Sequence, residues 1–185
     1  MTREEGTAWY EELRESYQSE RLQILLIGES PPDPGAADRR FFYAPTLSRY
    51  DNLYRGVVEA LYGETEDFSV EAKTRNLERL RDDGFWVVDA VGHPINKTSR
   101  TERKRAIEGA AGALLERCVA LAPERGVIIC HGLVHRAVSP RLRRVGVRLL
   151  HAEPLPFPLG NWRDAFVQGF RQAVGQAQLS LGSGS

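Results

Sequence analysis

The chain has little of what would hold a fold together from outside or drive it onto a highly charged partner. Its 185 residues contain 2 cysteines, Cys118 and Cys130. That is too few for the disulfide framework of a small secreted domain or for a four-thiolate iron–sulfur cluster. Both are expected reduced and packed. Lys+Arg and Asp+Glu each number 25, a formal net charge of zero, so any affinity for nucleic acid must come from a local patch and not from a protein-wide field. The longest apolar runs, such as 22–27, are far too short to span a bilayer, and the start "MTREEGTAWYEELRES" has no signal-peptide core. The expectation is one cytoplasmic domain over residues 1–175, with no membrane partner, and a small, polar, disordered tail over 176–185.

Within that frame, 42% hydrophobic and 27% charged residues are enough for a packed core. Trp9, Leu13 and Tyr17 recur four apart over 3–20, the stripe of an amphipathic helix. Four apolar runs without alternation, 22–27, 85–88, 127–130 and 147–150, suit strands buried on both faces. Helical patterns lie between and after them at 47–62, 69–83, 101–122, 132–139 and 162–174, with starts marked by Ser69, Thr101 and Asn161. This alternation predicts an α/β fold: three layers, α/β/α, around a central four-stranded parallel sheet. Ligands of such sheets bind beyond the carboxyl ends of the strands, which directs attention to four loops, 28–46, 89–100, 131–136 and 151–161.

The first of these opens "GESPPDP". Glu29 follows Gly28 and Ser30 precedes Pro31, Pro32 and Pro34, so a carboxylate leaves the first strand on a stiff loop. A loop carboxylate often caps a helix or is merely solvated; on a stiff loop it can also be held for chemistry. Downstream, "RRFFYAP" sets three aromatics together. Phe41 and Phe42 could wall a planar ligand, or Phe41 and Tyr43 could cap the sheet edge. The second strand ends at Asp89, ahead of "HPIN" and a basic stretch of Lys97, Arg100, Arg103, Lys104 and Arg105. An aspartate there accepts hydrogen bonds from a ligand's N–H groups or caps a turn. In "AEPLPFPLGNWRDAF", Pro154, Pro156 and Pro158 enforce a rigid extended loop, and Gly160 permits a turn. There is no G-x-S-x-G; Cys130-His131 reads as core and cap, and the His131/His135 spacing lacks the glutamate of a helical zinc motif.

In this order and spacing, the Gly-Glu-x-Pro loop, the following aromatics, the strand ending before "PINKT" and the Pro-x-Pro-Leu loop resemble the uracil-DNA glycosylase superfamily, from about Leu22 to Ala173. The resemblance implies a cofactor-independent, cluster-free, monomeric enzyme that excises a deaminated or modified base from DNA. It implies that Glu29 activates water, that Gly28, Ser30, Phe41, Phe42 and Asp89 surround the flipped base, and that Lys97, Pro156, Pro158, Leu159, Asn161 and Arg163 face DNA, with Leu159 as the wedge.

The chain departs from the family pattern at three positions. Leu155 stands where the family carries the histidine that stabilises the departing base, Phe157 replaces a small serine, and Asp89 replaces the asparagine that contacts uracil. The alternative is therefore a glycosylase-fold module that binds nucleic acid or a nucleotide without cleaving it.

Overall fold

The computed structural model describes residues 3–33, 41–46, 51–63 and 67–179. Pro34, residues 47–50 of the expected second helix and the tail from 180 onward lie outside them. The described chain is α/β. Helix α1 (Arg3–Ser16) precedes β1 (Ile24–Gly28); α2 (Asn52–Tyr62) and α3 (Val70–Asp82) connect to β2 (Phe85–Asp89). Helix α4 (Arg100–Leu121) leads to β3 (Gly126–Ile129), followed by α5 (Gly132–Arg144) and, after a 3-10 turn at Gly160–Trp162, by α6 (Arg163–Leu179).

The strands are parallel in the order β2-β1-β3, with Ile24 paired to Phe85 on one side and Gly126 on the other. All of β1 and β3 is buried, as their unbroken apolar character requires. Helix α2 packs on α6 and α4 on α5. Because the chain leaves β1 to one side for β2 and returns to the other for β3, the strand order reverses at β1. A crevice forms beyond the carboxyl end of a strand at such a switch point, and Glu29 is the first residue past β1.

The fourth strand is a correction. Residues 147–150 contribute a single parallel bridge, Leu149 to Val127, with Val127 N–H donating to Arg148 O at 2.8 Å and Leu150 N–H to Val127 O at 3.0 Å. The next outward donor of β3, Ile129 N–H, goes at 2.9 Å to the imidazole Nε2 of His151. A side chain takes the rung that a fourth strand would need. Its Nδ1 therefore carries the proton and donates to Glu153 O at 2.7 Å. On the other outer strand, Val87 N–H donates to Tyr43 Oη at 2.6 Å, so Tyr43 does cap the sheet edge.

Helix ends also differ in detail. Ser69 caps α3 through Ala72 N–H as expected, but α4 starts at Arg100, one residue before Thr101, and is capped by Ser99 in a reciprocal capping box with Glu102. Asn161 lies inside the 3-10 turn instead of capping α6, and α6 runs to Leu179, past the expected domain end. On α1 the deepest residues are Tyr10 and Arg14, both 2% exposed, while Trp9, Leu13 and Tyr17 are half-buried around them.

Beside the His151 cap, the rings of His135 and His151 are 5.0 Å apart, and His135 Nε2 is buried without a partner among the described residues. Burial pushes the His135 pKa down to about 4, with His151 and Arg143 adding to the effect. In the unfolded chain the ring takes a proton near pH 6.5; in the folded chain it resists. The contribution of this group to stability is therefore full above about pH 6.5 and, discounted for solvent screening, falls by about 1–2 kcal/mol as pH drops toward 4. Melting curves between pH 7 and pH 4.5 should show this decline, and His135→Leu should flatten it.

Candidate active site

A cavity of about 400 Å³ lies at the carboxyl ends of the strands. Glu29 and Ser30 from the loop after β1, Asp89 from the end of β2, and Phe41, Phe42 and Leu159 from the expected loops all line it. Of the sequence-predicted residues, Gly28 sits just beneath: a Cβ there would come within 2.8 Å of Asp89 Oδ1. The absent side chain is what lets Asp89 lie across the end of β1. Gly28→Ala should displace Asp89, cost about 1–2 kcal/mol by overpacking and lower ligand affinity more than that stability loss explains, which titration alongside thermal melts would separate.

Backbone bonds hold Glu29 in place. Ala90 N–H donates to Gly28 O at 3.1 Å and Val91 N–H to Glu29 O at 2.9 Å, extending the β1–β2 ladder one step past the strands. Its carboxylate is clasped by Arg103 of α4, with Nη2 at 2.7 and 2.6 Å from the two oxygens and Nε at 3.1 Å from Oε1. His131, the residue before α5, also lines the cavity and places Nε2 3.7 Å from Glu29 Oε1. Its pKa is lowered, chiefly by burial, with Glu29 opposing, so the ring is neutral at neutral pH. Its Nδ1 is buried with no partner among the described residues.

Asp89 is the other carboxylate. Its Oδ2 accepts from Arg14 Nη2 at 2.6 Å, and Arg14 Nη1 donates to Glu11. Burial pushes the Asp89 carboxyl up, and Arg14 pulls it back. Burial works against Arg14's charge, but Asp89 and Glu11 outweigh it and hold the guanidinium above its ordinary range. Phe41 packs between Tyr10, Trp9 and Arg14, and Phe42 against Tyr54. Both aromatics are thus core residues whose faces also wall the cavity.

The residues expected to meet DNA divide. Leu159 lines the cavity and is 58% exposed; outside the expected set, Phe157 also lines the cavity and Trp162, on the 3-10 turn, is 63% exposed. Pro158 is buried against Gly56 of α2, while Pro156 lies outside the cavity wall and Asn161 is exposed. Lys97 pairs with Asp33 at 2.5 Å, and Arg163 lies 3.4 Å from both Glu59 and Asn52. Leu155 turns away from the site into the core, where its Cδ2 crowds Gly169.

Sequence reasoning missed Arg14, Asp51, Asn52, Asn96 and His131 as wall residues, and read Arg103 as one member of a basic run. Asn96 and His131 do lie in two of the loops singled out, 89–100 and 131–136. Among the described residues no group of three or more His, Cys, Asp or Glu is placed to hold a metal ion, and His135 faces His151 instead of pairing with His131. No helix among them is long and apolar enough to cross a membrane. Both cysteines are free and buried, and burial raises both thiols.

No family model matches this chain, and neither a curated protein nor a solved structure matches it. The class that fold and site define is an α/β protein with a ligand-sized, carboxylate-bearing cavity at the switch point of a parallel sheet.

Proposed function

We propose that the protein is a DNA glycosylase of the uracil-DNA glycosylase type, in an α/β/α arrangement, that hydrolyses the N-glycosidic bond of a deaminated or modified base flipped out of DNA. The observation that supports this most is convergence. A carboxylate, an aromatic wall, a polar reader and an exposed apolar wedge come from four separate segments to one cavity, and base excision needs these parts together.

The reaction forms a bond from a water oxygen to C1′ of the sugar and breaks the bond from C1′ to the base nitrogen. The base leaves with the electron pair, and the water proton passes to Glu29. Positive charge grows on the sugar meanwhile, and an adjacent carboxylate stabilises it. A carboxylate has about four acceptor sites; Arg103 uses three, which leaves one for a water. Phe41 and Phe42 wall the base and Asp89 reads its edge. Leu155 offers no contact to the departing base, whereas neutral His131, on the cavity wall, can donate an N–H to it.

The second reading is a module of the same fold that binds a nucleotide or nucleic acid without cutting it, with DNA or RNA held at the Leu159 and Trp162 rim. What favours it is the clasp itself: Arg103 places a positive charge beside the carboxylate that would face a sugar cation.

An incision assay separates the two. Single- and double-stranded oligonucleotides carrying uracil, hypoxanthine, xanthine, hydroxymethyluracil or modified cytosines are incubated with the wild type and with Glu29→Gln. An abasic product on one base, lost in the variant, supports the glycosylase. Binding by both proteins with no abasic product on any base supports the module.

A further inference from the structure

From Arg125 to Ala152 the chain carries six arginines and neither Asp nor Glu, although its overall formal charge is zero. The excess sits on the outside of α5 and of the segment after it, where Arg136, Arg141, Arg143, Arg144 and Arg148 are all exposed. Beside them runs a groove of about 670 Å³. Arg143 and Arg148 line one side of it, and α6 lines the other with uncharged side chains, among them Gln172 and Gln176. Of carboxylates among the described residues, only Glu153 lines it. Arg143 spends one of its five N–H groups on Ala152 O, at 3.4 Å. Arg148 Nη2 donates to Gln176 O at 3.1 Å and so ties the two sides together.

One stiff loop separates this groove from the cavity at Glu29. Pro154, Leu155 and Pro156 line the groove, whereas Phe157 and Leu159 line the cavity. Arg136 stands at the junction: a Cβ on Gly132 would lie 3.7 Å from Arg136 Nη2 and 3.8 Å from Pro154 Cβ. Arg136 and Arg143 are seven residues apart on α5, hence on one face and about 10 Å apart along the axis. Arg141 and Arg144 lie on other faces and do not line the groove.

We propose that this groove is a track for nucleic acid. The strand that continues from a nucleotide in the cavity crosses the Pro154–Pro156 loop and lays its phosphates against Arg136, Arg143 and Arg148. The track lies outside the site of the proposed function, from which it takes only that a nucleotide enters the cavity. Two observations select a nucleic acid over an acidic protein. The groove shares a wall with a cavity the size of one small ligand, so a polymer with one unit in the cavity has its next units at this wall. The α6 side brings no aromatic or large apolar side chain, the usual anchors of a protein interface, but amides, which hydrogen-bond phosphate and sugar. A guanidinium meets a phosphate with two parallel hydrogen bonds. A chain of zero net charge thereby holds a polyanion through one local face.

The test compares two pairs of substitutions that remove equal charge from the same helix. Arg136→Gln, Arg143→Gln empties the track; Arg141→Gln, Arg144→Gln leaves it intact. Both are checked for folding by circular dichroism, and each is titrated by fluorescence anisotropy against a labelled oligo-dT of about twelve nucleotides over a range of salt. The track pair should weaken binding at least about tenfold at low salt and take about 1.4 off the slope of log affinity against log salt, at about 0.7 per phosphate contact on a single strand. The other pair should weaken binding less than about threefold. Equal losses from the two pairs, no loss from the track pair, or no binding of oligo-dT by the wild type overturns the proposal. So does unlabelled poly-glutamate of matched charge that competes as well as unlabelled oligo-dT, which would make an acidic protein the partner. The track and the glycosylase fail separately. Base release with no effect of the track pair on binding keeps the glycosylase and discards the track, whereas binding that the track pair weakens, with no abasic product from any oligonucleotide, does the reverse.

Discussion

In the glycosylase proposed above, Glu29→Gln should slow base release by about 10³-fold or more and leave the fold nearly unchanged. The amide keeps the size of the side chain and one oxygen for Arg103, so the clasp survives in part and thermal stability should shift little. The chemistry loses two things at once. The acceptor of the water proton contributes about 10²–10⁴-fold, and an oriented charge at the transition state about 10²–10³-fold. The losses overlap because one group supplies both. A further loss is particular to this site. With the carboxylate gone, the Arg103 guanidinium, 2.6–3.1 Å from where its oxygens stood, faces the nascent sugar cation unopposed. Single-turnover rates on the oligonucleotide that responds in the incision assay measure this directly. Arg103→Lys, which keeps the charge and gives up the two-toothed geometry, should fall between wild type and Glu29→Gln.

Lys73→Met should destabilise the protein by about 3–5 kcal/mol, a large share of the stability of an ordinary domain. The ammonium is fully buried and ties α3 to two cavity segments, donating to Asp51 Oδ2 at 3.1 Å, Thr46 O at 2.9 Å and Phe41 O at 3.3 Å. Methionine fills the space but leaves two carbonyls and a carboxylate without this donor, the costly direction in which to break a buried pair. Because Phe41, Asp51, Asn52 and Tyr54 all line the cavity, ligand affinity should fall along with stability. Urea denaturation gives the first quantity and titration the second. Adding Asp51→Asn, which removes the stranded charge, should recover part of the stability and little of the affinity.

How much of this the sequence carried follows the range of the forces. The three strands were legible because burial on both faces leaves an uninterrupted apolar run, and the carboxyl-end loops as the place of the site followed from their alternation with helices; the strand order, and with it the switch point, did not. Glu29, Phe41, Phe42, Asp89 and Leu159 were found because they lie where strands or stiff loops end. The absence of the expected fourth strand was not legible, since an imidazole in place of a backbone rung leaves no mark on apolar patterning. Arg14 and Arg103 were hidden for a related reason: each sits among exposed charges on a helix, and only partners 75 and 74 residues away, Asp89 and Glu29, distinguish it from a solvated arginine.

The two outer strands end their ladders on side chains, one on the phenol of Tyr43 and one on the imidazole of His151. A three-stranded parallel sheet is thereby closed at these points to a fourth strand from another molecule, the usual start of edge-to-edge association. The phenol is indifferent to acid; the imidazole, although burial holds its pKa below the ordinary range, takes a proton once the pH is low enough. Once protonated, His151 has no lone pair for Ile129 N–H, and donor confronts donor. Acid would then do more than lower the folding free energy: it would uncover a strand edge, and the protein's solubility would fail from the β3 side first.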